Sequence, residues 1–293
     1  MEQLTDNVVL LGNKYFNHCV VGNEEAIMIE CGVTASVANL KLQWQRLDTR
    51  PNVRYLVAMH AHFDHVCGIP MLLELFPKSK VLATEIAQEV LTKPKIVRNF
   101  FYQDEKMSAV LANEGILSEK PKSFRLDTIA VDRTIEAGTM IDLDGNLTLE
   151  IISTPGHSPC GIACYFPQDQ VMMVSDACGF QISDTEIFPI FFQSYKLYIQ
   201  TIKKLMRYPT RILVTAHGQV WLKDDVKQFY QRALDSARVV YGEIRKMIYK
   251  NIDDSTIIQK LFSRYYHKNL RIYTPENIET CGQLLLKRVK ECL

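Results

Sequence analysis

Short apolar runs alternate with turn chemistry through the first part of the chain. Residues 8–11, 19–21 and 26–29 are mostly Val, Leu, Ile and Met, and Gly12-Asn13 and Gly22-Asn23 separate them. Runs this short, broken by glycine and asparagine, predict strands joined by turns. Thr34 follows Glu30-Cys31-Gly32 and is placed to cap a helix reaching about residue 47. Residues 53–58 read as a strand buried in a packed sheet, and that run ends at His60. A short helix over 69–76 and a strand over 80–83 follow. Over 85–125 the period changes: Phe100, Phe101, Met107, Val110, Leu111 and Ile116 recur at helical spacing, which predicts a helical insert between two strand-rich halves. Strands resume at 128–131, 139–143, 147–153, 162–166 and 171–174, and a helix over 195–206 leads to a strand at 211–215.

After Trp221 the pattern is helical to the end. Val226, Phe229, Ala233, Ala237, Val240, Ile244 and Ile248 trace one face of a long amphipathic helix. Thr274-Pro275 opens the last helix, with Thr at the cap and Pro at the first helical position. The reading is an α/β body over residues 1–222, with the insert at about 85–125, and a helical extension over 223–293.

Composition narrows the function classes. The chain has 293 residues, 34 Lys+Arg against 33 Asp+Glu, and 47% hydrophobic residues, an ordinary globular balance with enough chain for a self-supporting core. A net charge of +1 without a basic-aromatic stripe argues against a nucleic-acid partner. No apolar run approaches the ~20 residues of a membrane span, and the N-terminus lacks a basic-then-apolar signal pattern. Eight cysteines without a CxxC pair or regular framework predict reduced thiols and a cytoplasmic setting.

The chemistry concentrates in His60-Ala-His62-Phe-Asp64-His65, directly after a buried strand. Imidazole and carboxylate are borderline-to-hard metal ligands. A turn leaving a strand can aim alternate side chains at one ion, so His60 and His62 can share one, with Asp64 and His65 facing another. His157 follows the 147–153 strand, Asp176 the 171–174 strand and His217 the 211–215 strand, so four strand ends each deliver metal-ligand chemistry. Ser158 and Cys160 have no evident base and read as turn and packing residues. Cys67 and Cys178 read as small buried side chains, although both lie near ligand segments. His18 and His267 fit no motif.

HxHxDH followed by these three lone ligands in this order resembles the metallo-β-lactamase-fold hydrolase superfamily over roughly residues 7–222. The resemblance implies an αββα sandwich, here with a C-terminal helical extension over the active site. It further implies that His60, His62 and His157 hold one metal, that Asp64, His65 and His217 hold a second, and that Asp176 bridges them. The expected cofactors are two divalent ions per chain, with zinc first and iron or manganese as alternatives. A hydroxide bridging the ions would attack a carbonyl while Asp64 orients it. Within the superfamily the chain is similar to the glyoxalase II, quinolone-signal thioesterase and lactonase-like branch, which places C-terminal helices over the site. That implies hydrolysis of a small-molecule acyl thioester, with a lactone or phosphodiester as alternative substrates. Tyr195, Phe192 and Phe101 are the expected substrate contacts. The partner expectations are a small acyl substrate, no nucleic acid, no membrane, and compatibility with a homodimer. A regulatory protein that keeps the metal fold, or a mononuclear iron oxygenase, is the rival reading.

Overall fold

The computed structural model describes residues 1–117, 121–143 and 147–293. Residues 118–120 of the expected insert lie outside that set. The first sheet is built in chain order from β1 (Glu2–Thr5), β2 (Val8–Asn13), β3 (Phe16–Val21), β4 (Glu25–Ile29), β5 (Asn52–Val57), β6 (Lys80–Ala83) and β7 (Arg133–Thr134). β1 to β4 form an antiparallel meander, and β4 to β7 run parallel. Parallel neighbours need crossovers. α1 (Thr34–Trp44) joins β4 to β5, α2 (Phe63–Val66) and α3 (Ile69–Leu75) join β5 to β6, and α4 (Glu85–Leu91) and α5 (Pro94–Asn113) join β6 to β7.

The second sheet contains β8 (Met140–Asp142), β9 (Thr148–Ser153), β10 (Ile162–Phe166) and β11 (Val171–Ser175). β12 (Phe180–Gln181) and β13 (Ile187–Phe188) form a separate two-stranded ribbon. After α6 (Tyr195–Leu205), β14 (Ile212–Thr215) returns parallel to β11, and β15 (Trp221–Leu222) closes that edge. The tail folds as α7 (Asp224–Tyr249), α8 (Asp254–Tyr265), a 3-10 turn over Lys268–Ile272, and α9 (Pro275–Lys290). Among the described residues no helix is long and apolar enough to cross a membrane.

Strand periodicity explains the layers. In β4, Ile27 and Ile29 face a core shared between the two sheets, while Ala26 and Met28 face the helices outside. β10 repeats this, with Ile162, Cys164 and Phe166 inward and Ala163 and Tyr165 outward. Strands buried on both faces read as unbroken apolar runs rather than as alternation. The order is therefore helices, sheet, sheet, helices, the αββα sandwich expected from the resemblance.

Two expectations change. Residues 128–131 form no strand: Ile129 is buried and its N–H donates to the Leu91 carbonyl beside α4 (3.0 Å), so sheet pairing waits until Arg133. Thr34 is the first residue of α1 rather than its cap. Its N–H and hydroxyl both donate to the Asp104 carboxylate of α5, at 2.9 and 2.6 Å.

Candidate metal centre

His60, His62, Asp64 and His65 follow β5, His157 follows β9, Asp176 follows β11 and His217 follows β14. All seven come together at one edge of the sandwich. At several of the turns around this edge the local backbone adopts positive φ. Ser175 has φ 50° and Glu30 has φ 71°, conformations that non-glycine residues adopt rarely. Gly156 (φ 128°) lets the His157 turn approach α6 so closely that a Cβ there would lie 2.3 Å from the Tyr198 backbone.

Three imidazole nitrogens converge in the first group. His60 Nε2 is 3.0 Å from His62 Nδ1, His157 Nε2 is 3.0 Å from His62 Nδ1, and His157 Nε2 is 3.2 Å from His60 Nε2. For metal–nitrogen bonds of about 2.0–2.1 Å, tetrahedral or facial ligands stand roughly 2.9–3.4 Å apart. The triangle fits a shared cation.

The second group joins Asp64, His65 and His217. Asp64 Oδ2 lies 3.7 Å from His65 Nε2 and 3.5 Å from His217 Nε2. Asp176 sits between the groups: Oδ2 is 3.4 Å from both His157 Nε2 and His65 Nε2, and Oδ1 is 3.6 Å from His217 Nε2. His65 Nε2, His217 Nε2 and Asp176 Oδ1 are buried and have no hydrogen-bond partner among the described residues. A single unsatisfied buried group costs about 1–3 kcal/mol. Three aimed at one point are what a second cation would satisfy.

The outward nitrogens are anchored. His65 Nδ1 donates to Glu30 Oε2 (2.8 Å), His157 Nδ1 to the Ile190 carbonyl (2.8 Å) and His217 Nδ1 to the Tyr15 carbonyl (2.9 Å). His60 Nδ1 meets Ser175 Oγ at 3.3 Å. Such partners fix the tautomer and leave the inward nitrogen free to ligate.

The electrostatics divide the two groups. Burial, reinforced by neighbouring imidazoles, holds His60 well below the usual histidine range and brings His62 to about 3. Burial also lowers His157. These three are neutral near pH 7 with their lone pairs facing inward. Burial acts the same way on His65 and His217, but Glu30, Asp176 and Asp64 outweigh it for His65, and Asp64 and Asp176 outweigh it for His217, so both are raised. Burial pushes Asp64 and Asp176 up, yet the facing histidines prevail and hold both below the carboxylate range. A cation entering the second group must therefore displace protons.

A cavity of about 350 Å³ opens from the cluster. His62, Asp64, His157 and Asp176 form its inner end. Phe63, Phe180, Phe188 and Phe192 wall it, and Phe100 of α5 and Ile278 of α9 also line it. Among the described residues, Glu276 is the one acidic lining residue besides the two cluster aspartates, and no Lys or Arg lines the cavity.

Of the three expected substrate contacts, Phe192 lines this cavity. Phe101 does not: it turns into the core beside Phe124, and its neighbour Phe100 reaches the cavity instead. On a helix, adjacent residues point about 100° apart, so helical phase decides which of two phenylalanines meets a ligand. Tyr195 is also displaced from that role. It stacks on Tyr241 of α7 (centroids 4.1 Å apart, planes at 15°) outside the cavity.

The sequence reading missed two residues at the site. Glu30 ends an apolar strand, the same signal that singled out Asp176. Tyr273 donates its hydroxyl to Asp64 Oδ2 at 2.6 Å across 209 residues of chain, and nothing linear relates the two. Burial and Asp64 hold its phenol well above the usual range, so it stays a donor. Cys67 and Cys178 are buried thiols pushed up by burial, and neither belongs to a candidate metal group among the described residues. Ser158 and Cys160 contact each other (Oγ–Sγ 3.0 Å) and pack the turn. His18 is fully buried, bonded to the Glu30 carbonyl and Ser36 Oγ, and His267 pairs with Glu186.

The model of the metallo-β-lactamase superfamily matches residues 16–217. The chain is similar to ST1585, a metallo-β-lactamase fold-containing protein of Sulfurisphaera tokodaii, at 24% identity over 87% of this chain and 88% of that one. Among solved structures it superposes on a metallo-β-lactamase family protein of Thermus thermophilus (TM-score 0.63, 14% identity, covering 97% and 94%). It also superposes on the sec-alkylsulfatase Pisa1 of Pseudomonas sp. (TM-score 0.65, 17% identity), covering 98% of this chain but 49% of that one.

Proposed function

The chain belongs to the metallo-β-lactamase superfamily, and we propose that it is a two-metal hydrolase that cleaves a small-molecule acyl thioester. The observation that carries the metal reading is the convergence of three imidazole nitrogens within 3.0–3.2 Å, two of them on buried rings, with Asp176 between them and the second group. His60, His62 and His157 would hold one ion, Asp64, His65 and His217 the other, and Asp176 both. Two bound divalent ions supply a water that deprotonates near neutral pH and a Lewis acid for the scissile carbonyl.

The chain's own residues do the rest. Asp64 Oδ2 is committed to Tyr273 and to the facing imidazoles, which leaves Oδ1 to orient a nucleophilic water. The phenylalanine walls exclude bulk water and hold an apolar acyl group against the cluster. A wall in which no described Lys or Arg takes part gives no grip on an anionic acyl chain, which favours a neutral one.

The test is a hydrolysis screen on protein of measured metal content, using acyl-CoA, acyl-glutathione, lactone and phosphodiester substrates. The expected result is turnover of thioesters with an apolar acyl chain. Asp176→Ala should abolish it and empty both sites, because one carboxylate faces both groups. Preferential lactone or phosphodiester turnover would redirect the substrate assignment. Two bound metals with no turnover of any class would point to the regulatory rival, and full activity in Asp176→Ala would overturn the two-metal model.

A further inference from the structure

We propose that Tyr273 is a positioning residue of the metal cluster, and that through it the C-terminal segment completes the second ligand set. The proposal rests on the two-metal reading above. Each histidine of the second group has its outward nitrogen anchored, His65 on Glu30 and His217 on the Tyr15 carbonyl. The carboxylate of Asp64 has a broad terminal torsion and needs an anchor of its own. Tyr273 provides one: its hydroxyl lies 2.6 Å from Oδ2, against 3.5 Å for His217 and 3.7 Å for His65. Oδ2 is the oxygen that faces both imidazoles, so fixing it fixes the geometry of the whole group.

Tyr273 is itself held on every side. Its ring meets Phe63 edge-on at 6.1 Å and Phe180 edge-on at 5.5 Å. Phe180 in turn lies 4.9 Å from the His217 ring. The Tyr273 carbonyl accepts from the Tyr266 hydroxyl (3.0 Å), and its N–H donates to the Leu270 carbonyl (3.2 Å). Thr274, the next residue, caps α9. The anchor is therefore built into the junction between the 3-10 turn and the last helix. A donor locked this way orients a carboxylate at little entropic cost. Positioning of this kind typically changes metal affinity 10–100-fold.

Cobalt(II) is the probe, because its uptake and visible absorption report each site without a known substrate. In Tyr273→Phe the first cobalt should bind as in wild type, and the second should bind 10–100-fold more weakly with an altered absorption band. Tyr266→Phe is the second variant: it loosens the Tyr273 backbone but keeps the hydroxyl. Wild-type affinity in Tyr266→Phe together with the loss in Tyr273→Phe assigns the effect to the hydroxyl. Equal losses in both would assign it to packing of the segment and overturn the proposal. An unchanged second site in Tyr273→Phe would also overturn it, with the two-metal reading intact. Wild-type protein that binds no cobalt would overturn that reading and the proposal with it.

Discussion

At the scale of single residues, the cluster histidines divide their two nitrogens between protein and site. In His65, His157 and His217 the outward one is tied to a carbonyl or carboxylate, in His60 it meets the Ser175 hydroxyl, and the inward one points at the cluster. Glu30 shows how much depends on such a tie. It is 6% exposed, sits at φ 71° and accepts from His65 Nδ1. Glu30→Gln keeps the shape and an acceptor but removes the charge, and should weaken the second metal about tenfold with the first unaffected, as read by metal titration. Protonation separates the two groups as well. The first-group histidines are lowered and already neutral, so affinity there should be flat above about pH 6.5. His65 and His217 are raised by the facing carboxylates, so protons compete with the second ion there and second-site affinity should climb with pH. Calorimetry in buffers of different ionisation enthalpy should show more protons released by the second ion than by the first.

Single elements are completed by distant ones. α1 begins without a side-chain hydrogen bond from its cap residue, and the N–H of its first residue, Thr34, donates to Asp104 of α5, 70 residues away. A carboxylate suits a helix N-terminus, but this one is 2% exposed, and burial, only partly offset by the bonds from Thr34, raises it from 3.8 to about 6. The raised value means that the folded state takes up a proton the unfolded chain lacks between these limits. That contribution is fully present below 3.8 and is lost as pH rises through about 6. The stability of wild type relative to Asp104→Asn should thus fall by about 2 kcal/mol between pH 4 and pH 7. Urea unfolding at both pH values measures it, and the metal cluster cancels in the difference. Thr34 also shows a limit of linear reading. Local capping rules pointed to its own hydroxyl, whereas the acceptor came from another helix. Where the apolar period ran unbroken, as in α7 and α9, burial enforced it and the sequence reading and the structure agree closely.

At the scale of the molecule, the two sheets carry separate halves of one site. β5 delivers four of the candidate ligands from the first sheet, while β9, β11 and β14 deliver three from the second. Metal held there would therefore clamp the sandwich across its edge. Ligands that bind only the folded state stabilise it by about 4 kcal/mol at a thousandfold excess over Kd. Stripping with chelator should lower the melting temperature by roughly 10 °C, recovered on adding metal back. An unchanged melting temperature would mean that the edge is preorganised without metal.

Residue identity and period determined the strand and helix faces and picked out the His and Asp residues at the strand ends, and their order along the chain carried the resemblance that implied a ligand set. They could do so because a strand end and its first turn residues are contiguous in sequence. The tertiary structure decided which aromatics meet a ligand and which anchor the cluster. Phe100 rather than Phe101 lines the cavity through helical phase against a neighbour, and Tyr195 is held away from it by stacking on α7. Tyr273 reaches Asp64 because the tail folds back across the sheet edge. Contacts of that kind depend on how whole elements dock, and no local pattern encodes the docking.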